Sequence, residues 1–169
     1  MKLVTVLGTR PEIIKLSPLL PRLDELGRHT IVHSGQHYSA EMDAVFFREL
    51  ELRAPDRFLR VGSCPPVEQV ARIATGVEAV IREVEPDWVI VHGDTNTTLG
   101  GALAAAKYRA AGVRLAHVEA GARSFNDLQP EELNRVLVDR MSHLLFARER
   151  RCARRAQHSW VRRCHAPSP

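Results

Sequence analysis

Residues 1–15 read MKLVTVLGTRPEIIK, an apolar stretch that passes directly into a polar turn. The nearly unbroken apolar run at residues 3–7 is typical of a strand that is covered on both faces of a parallel sheet. Pro11 suits the first turn of a helix. Arg10 and Lys15 are therefore predicted to lie where the first strand joins its helix, and the helix amino-terminus favours an anion such as phosphate there. The alternative is that both are solvated surface charges.

Apolar strands and helical segments alternate along the rest of the chain. Strands are predicted at residues 3–7, 29–33, 88–91, 113–118 and 143–146, and helices at 11–26 with a break at Pro18 and Pro21, 41–50, 67–84, 99–108 and 131–140, whereas 53–66 is expected to be irregular. This alternation indicates an α/β fold, a doubly wound and Rossmann-like parallel sheet with right-handed crossovers. Ligands bind such sheets beyond the carboxyl ends of the strands.

The composition is that of a globular protein, with 44% hydrophobic and 26% charged residues among 169. The apolar start is too short to span a bilayer and lacks the pattern of a secretory leader, so we predict a cytoplasmic protein with no membrane partner. Three cysteines without paired metal-ligand spacing are predicted to be free thiols: Cys64, Cys152 and Cys164.

The formal net charge of +4 is concentrated at the carboxyl end. Residues 148–169 hold seven arginines and one acid, a net charge of +6, which leaves −2 for residues 1–147. The body of the protein is therefore not predicted to bind nucleic acid. Residues 148–169 lack apolar periodicity and are predicted to form a disordered basic tail, with an arm that binds nucleic acid or anionic membranes as the alternative.

Acidic residues follow two of the predicted strands. Asp94 and Glu119 are separated by one helical crossover, so neighbouring strands about 4.8 Å apart would bring both acids to the same edge of the sheet. Crowding is expected to raise the pKa of at least one of them, which suits acid–base chemistry. Glu131 and Glu132 open the next helix and offer a third acid. The structural alternative is that Asp94 or Thr95 caps a helix and that the glutamates only suit a helix dipole.

Two histidines suggest a different chemistry. His92 and His117 each precede an acid by two residues, so His92, Asp94, His117 and Glu119 are candidate ligands of a divalent metal in a hydrolase. The chain has no recognised metal motif, and it also lacks the P-loop and the dinucleotide fingerprint. Nucleotide hydrolysis and NAD binding therefore receive little support.

Five longer motifs occur in order along the chain: GTRPEIIK at 8–15, SGQHYSAEM at 34–42, PDWVIVHGDTNTTL at 86–99, HVEAGARSF at 117–125 and PEELNR at 130–135. With them, residues 1–147 resemble the amino-terminal half of a non-hydrolysing UDP-N-acetylglucosamine 2-epimerase. The resemblance implies a GT-B arrangement of two Rossmann-like lobes with the active site between them, a homodimer, and no metal, NAD or other cofactor.

The resemblance also implies a reaction and its residues. The family interconverts UDP-N-acetylglucosamine and UDP-N-acetylmannosamine by eliminating UDP across carbons 1 and 2 of the sugar and adding it back. By position, the catalytic acids match Asp94, Glu119 and Glu131, residues at the diphosphate or sugar match Arg10 and Lys15, and a segment associated with a second, regulatory UDP-N-acetylglucosamine contains Gln36 and His37.

The resemblance fades after Ala147, where family members continue with a Pro-Thr-Glu stretch and this chain reads RERRCARR. We hypothesise that residues 148–169 are an out-of-frame reading and that the UDP-binding carboxyl-terminal lobe is absent, so little activity is expected from the chain alone. The alternatives are a non-catalytic remnant or binding module of the same fold, and a hydrolysing relative that releases free N-acetylmannosamine.

Overall fold

The computed structural model of the protein describes residues 1–36 and 40–158. The strands are β1 (Lys2–Leu7), β2 (Arg28–His33), β3 (Arg57–Phe58), β4 (Trp88–His92), β5 (Arg114–Ala120) and β6 (Leu144–Ala147). The helices are α1 (Arg10–Leu16), α2 (Leu20–Leu26), α3 (Ala40–Glu49), α4 (Pro66–Val84), α5 (Asn96–Lys107), α6 (Pro130–Met141) and α7 (Arg150–His158), with a 3-10 turn at Arg109–Ala111. No helix within the described ranges is long and apolar enough to cross a membrane.

The six strands form one parallel sheet in the order β3-β2-β1-β4-β5-β6. Both faces are packed, because successive residues of a strand point to opposite sides. Val4 and Val6 of β1 join a core cluster with α4 and α5, whereas Leu3 and Leu7 join clusters that contain residues of α1 and α2. The prediction of a doubly wound, Rossmann-like parallel sheet is therefore confirmed, and burial on two faces explains the nearly continuous apolar run in β1.

Most element boundaries agree with the sequence predictions, and the differences have local causes. The two-residue edge strand β3 lies in the stretch expected to be irregular, because so short a strand has no readable pattern. Helix α5 begins at Asn96 rather than Leu99, since the side chain of Thr95 accepts a hydrogen bond from the amide of Thr98 and caps the helix. The structural alternative for Thr95 is thus confirmed.

The beginning of the basic segment is helical rather than disordered. Helix α7 spans Arg150–His158, a stretch made largely of arginine and alanine, which have high helix propensity. The helix packs against the turn after β5 at Gly121, where a Cβ atom would lie 2.1 Å from the carbonyl oxygen of Cys152. Gly121 also has a φ of +76°, a conformation that side chains disfavour. The prediction of disorder is therefore wrong for the residues of α7.

The carboxylate of Glu12 joins the two turns at which the strand order reverses. Glu12 is 3% exposed, and its Oε2 accepts hydrogen bonds from the amides of Gly8 at 2.7 Å and Thr9 at 2.9 Å. Its Oε1 accepts a hydrogen bond from Thr95 Oγ1 at 2.7 Å. Burial raises the pKa of Glu12, while these hydrogen bonds oppose the shift. The amides expected to receive a phosphate at this helix start already bind an internal carboxyl group.

Replacing Glu12 tests this clamp. Glu12→Ala leaves the buried amides of Gly8 and Thr9 without their acceptor, so we expect the free energy of unfolding to fall by about 2 kcal/mol or more in urea titrations. Glu12→Gln is expected to cost less, because the hydroxyl of Thr95 can accept a hydrogen bond from an amide. Glu25→Ala, at an exposed carboxylate of α2, is the matched control. Equal losses in Glu12→Ala and Glu25→Ala would contradict the clamp.

A buried histidine at the end of β2 predicts a pH-dependent stability. His33 stacks on Phe58 with ring centroids 4.4 Å apart, and burial lowers its pKa from 6.5 to about 4. Below pH 6.5 this histidine binds a proton in the unfolded chain but not in the folded protein. The free energy of unfolding therefore decreases as the pH is lowered, by about 2 kcal/mol at pH 5. His33→Asn retains an acceptor for the amide of Gly35 and is expected to flatten the pH dependence of urea unfolding. Identical slopes in both proteins would refute this cause.

Candidate active site

A cleft of about 310 Å³ lies at the carboxyl edge of the sheet, beyond β4 and β5. It is lined by residues from α1, the turn after β4, the end of β5, α6 and the start of α7, namely Lys15, Gly93, Asp94, Glu119, Ala122, Arg135, Arg148, Glu149 and Cys152. The prediction that Asp94 and Glu119 meet at one edge is confirmed, because β4 and β5 are paired neighbours. The cleft lies where a sheet of this type binds its ligands.

Glu119 lies inside β5. The sequence analysis had placed it directly after the strand. Its φ is +68°, and the pairing of β5 with β6 is irregular between Val118 and Ala120. A bulky residue rarely adopts this left-handed conformation, which costs roughly 1–3 kcal/mol and concentrates at functional sites. Glu119 thus lies at the irregularity in the strand pairing, and it lines the cleft.

Three positively charged or hydrogen-bonding groups surround the Glu119 carboxylate. Lys15 Nζ lies 2.7 Å and His92 Nε2 3.4 Å from its Oε2, and Arg148 Nη1 lies 3.6 Å from its Oε1. Partial burial favours the neutral acid, but the hydrogen bond from Lys15 and the neighbouring charges outweigh it and lower the pKa of Glu119. The expectation that crowding raises the pKa is wrong for Glu119, because its close neighbours are cations rather than acids.

Asp94 is held by two residues of α6 that the sequence analysis did not single out. Arg135 donates from Nε at 2.8 Å and from Nη2 at 2.5 Å to the same oxygen, Oδ2. Asn134 Nδ2 donates to the main-chain oxygen of Asp94 at 2.8 Å. Both residues belong to the quoted PEELNR motif, and their helical spacing from the glutamates was the available signal. Within the described structure, Asp94 Oδ1 keeps no hydrogen-bond partner and the residue lines the cleft.

The two glutamates that open α6 have different environments. Glu131 is exposed and is not among the described residues that line the cleft. Glu132 is 5% exposed and accepts hydrogen bonds from the amide of Ser124 at 2.9 Å and from Arg135 Nη1 at 3.0 Å. Together these contacts lower the pKa of Glu132 against the effect of burial. The structure therefore brings two of the three predicted acids together and leaves Glu131 outside.

Arg10 and Gln36 are not among the described residues that line the cleft. Arg10 is exposed, and its guanidinium lies 5.8 Å from the ring centroid of Phe46. Gln36 is 8% exposed, and its Oε1 accepts hydrogen bonds from the amide of Thr97 at 3.1 Å and from Thr97 Oγ1 at 2.7 Å. Gln36 therefore tethers the first turn of α5. His37 lies outside the described residues.

The arrangement of His117 argues against the metal-ligand alternative. Its Nδ1 lies 2.7 Å from Asp139 Oδ1, and its Nε2 lies 2.7 Å from the main-chain oxygen of Gly93, so both ring nitrogens are engaged. Across residues 1–36 and 40–158, no group of three or more His, Cys, Asp or Glu side chains is placed to hold a metal ion. His117 instead links β5, α6 and the turn before Asp94.

The amino-acid sequence is similar to those of known proteins. A family model described as UDP-N-acetylglucosamine 2-epimerase matches residues 22–158, beyond the Ala147 at which the motifs fade. The UDP-N-acetylglucosamine 2-epimerase of Methanococcus maripaludis is 48% identical over 146 residues, covering 86% of this chain and 39% of the relative. The UDP-2,3-diacetamido-2,3-dideoxy-D-glucuronate 2-epimerase of Pseudomonas aeruginosa is 43% identical over 148 residues, covering 86% and 41%. The chain thus spans about 40% of the length of these relatives.

The fold is also similar to that of a protein of known structure. The crystal structure of the Methanocaldococcus jannaschii UDP-GlcNAc 2-epimerase in complex with UDP-GlcNAc and UDP matches with a TM-score of 0.89 and 45% identity, covering 96% of this chain and 44% of that one. The described sheet corresponds to the Rossmann-like amino-terminal lobe of a GT-B fold. The chain belongs to the UDP-N-acetylglucosamine 2-epimerase family.

Proposed function

We propose that this chain provides the amino-terminal lobe of a non-hydrolysing enzyme that interconverts UDP-N-acetylglucosamine and UDP-N-acetylmannosamine. The observation that carries the proposal is the cleft in which Lys15, Asp94 and Glu119 lie together at the carboxyl edge of the sheet. The names of the relatives support a UDP-2-acetamido sugar as substrate and UDP as the released group. A second lobe would supply the uridine contacts, so residues 1–169 alone are expected to have little activity.

The proposed reaction has two opposite halves. A base removes the proton from carbon 2, the electron pair of that bond forms a double bond between carbons 1 and 2, and UDP leaves carbon 1 with the electrons of the carbon–oxygen bond. Re-addition of UDP at carbon 1, with a proton delivered to the opposite face of carbon 2, gives the epimer. Because the proton on carbon 2 is weakly acidic, early loss of UDP and positive charge near carbon 1 assist its removal.

The cleft contains groups suited to these demands. Lys15 keeps Glu119 ionised, so this carboxylate is available to accept a proton or to face positive charge near carbon 1. Arg135 holds Asp94 through Oδ2, so Oδ1 is available to the substrate. Lys15, with an amino group at the cleft, is suited to neutralise the departing diphosphate. We retain Glu131 as a third acid and Arg10, Gln36 and His37 as substrate-binding residues on the family resemblance alone.

A chimeric protein tests the proposed reaction. Residues 1–147 replace the matching part of the Methanococcus maripaludis relative, and the intact relative serves as the positive control. In deuterium oxide we expect both UDP-sugars to acquire deuterium at carbon 2, as measured by proton NMR. A hydrolysing enzyme would instead accumulate free N-acetylmannosamine together with UDP. Absence of exchange under conditions in which the relative is active would refute the proposal.

Substitutions in this chimera test the three acids separately. Asp94→Asn, Glu119→Gln and Glu131→Gln are each expected to reduce kcat by at least about a hundredfold, the usual scale of acid–base catalysis. Glu25→Gln, at an exposed carboxylate of α2, is the matched control and is expected to retain the parent rate. A variant that keeps the parent kcat removes its acid from the catalytic set, and retention by all three would refute the assignment.

A further inference from the structure

A buried histidine of β5 lies between two hydrogen-bond acceptors. His117 is 1% exposed; its Nδ1 lies 2.7 Å from Asp139 Oδ1, and its Nε2 lies 2.7 Å from the main-chain oxygen of Gly93. A main-chain oxygen has no proton to donate, so Nε2 is the donor in the contact with Gly93. Whether Nδ1 also carries a proton then depends on the state of Asp139.

Asp139 is placed as an ionised acceptor. Its side chain is fully buried, and its Oδ2 accepts hydrogen bonds from the amide of Gly121 at 3.0 Å and from Arg123 Nη2 at 2.7 Å. Burial raises the pKa of Asp139, but its hydrogen bonds and the charges of His117 and Arg123 outweigh burial and lower the pKa. An ionised carboxylate only accepts hydrogen bonds, so Nδ1 is also a donor. An imidazolium ring satisfies both contacts of His117.

The surroundings of His29 show what a neutral ring requires. Its Nδ1 lies 2.7 Å from Asp24 Oδ1, and its Nε2 lies 2.8 Å from Thr5 Oγ1. A hydroxyl group can donate as well as accept, so a ring with a single proton on Nδ1 satisfies both of these contacts. Burial lowers the pKa of His29, which agrees with a neutral ring. The main-chain oxygen beside His117 offers no such alternative.

The ring of His117 holds the turn that carries Asp94. Gly93 directly precedes Asp94, and its main-chain oxygen accepts the hydrogen bond from the ring. The amide of Gly93 donates to the main-chain oxygen of Val118 at 3.0 Å. Both main-chain groups of Gly93 are therefore bound to β5, which fixes the turn between β4 and Asp94.

Asp139 holds the turn that follows Glu119. Gly121 lies two residues after Glu119, and its amide donates to Asp139 Oδ2. Asp139 therefore contacts the turn after β5 directly, and it contacts the turn after β4 through the ring of His117. One buried ion pair thus joins the two turns next to the proposed acids.

We propose that His117 is a positioning residue that stays an imidazolium in the folded protein and, paired with Asp139, fixes the separation of the two proposed acids. The proposal rests on the proposed function for the use of those acids, but not for the charge or the contacts of the ring. The residue opposite the ring on β6 is apolar Leu145. The charged or titratable neighbours are Asp139 of α6, Arg123 beside Asp139, His92 at the end of β4, and the acids Asp94 and Glu119.

The charge of the ring is measured in the full chain without any nucleotide. At pH 8 a histidine with an ordinary pKa is about 3% charged. Nitrogen-15 NMR, assigned through couplings to the main chain, is expected to show protons on both ring nitrogens of His117 and on only one ring nitrogen of His29. A ring nitrogen of His117 without a proton would overturn the proposal, and this measurement needs no variant to fold.

Asp139→Asn tests whether the carboxylate is the cause of the charge. Asparagine has the shape of aspartate, so its oxygen can accept from the amide of Gly121 while its nitrogen donates to Nδ1 of His117. The ring then needs no second proton, and at pH 8 we expect Nδ1 to lose its proton and Nε2 to keep it. A ring that stays doubly protonated in this variant would overturn the pairing on which the proposal depends.

The chimera tests the positioning role. His117→Asn keeps a donor near Asp139 but does not reach Gly93, so we expect kcat to fall roughly tenfold or more with KM unchanged, as for a displaced catalytic group. His29→Asn removes another buried ring paired with an acid, near the amino end of β2, and is the matched control expected to keep the parent kcat. Equal kcat values in these two variants would overturn the proposal. An inactive parent chimera would count against the proposed function and leave both NMR results standing.

Discussion

The buried carboxylate of Glu12 is the constraint on which the geometry of the cleft depends. It binds the amides that begin α1 and the hydroxyl that caps α5, so the two turns on either side of the strand reversal share one carboxyl group. Lys15 follows one helical turn later on α1, and Asp94 directly precedes the capping threonine. The contacts of Glu12 therefore help to set the positions of both Lys15 and Asp94, although these two residues follow different strands.

The candidate site is organised as pairs of opposite charges. Lys15 faces Glu119, and Arg135 faces both Asp94 and Glu132. The pKa of Glu119 and that of Glu132 are thereby lowered against the effect of burial, and cations from different elements lie between the acids. For the proposed elimination, this arrangement provides a base that is ready at neutral pH and a cation that can follow the negative charge as UDP departs.

The fold was largely predictable because its strands are apolar on both faces and its helices are bounded by proline, glycine and threonine. The environments of the site residues were not predictable, because they depend on contacts between residues that are far apart in the sequence. The phase of α6 decides that Glu132 is buried and Glu131 exposed, and adjacent glutamates cannot be separated without knowing where the helix packs. The left-handed conformation of Glu119 depends on irregular pairing with β6, and the internal use of Glu12 and Gln36 depends on a turn more than sixty residues away.

The contact of α7 with Gly121 builds one wall of the cleft from a helix that belongs to no strand pairing. Cys152 of this helix lines the cleft, and its main-chain oxygen is the atom that a Cβ at position 121 would meet at 2.1 Å. A side chain at position 121 would therefore push the helix, and with it this wall, away from the end of β5. One glycine thus sets how closely the helix approaches the site.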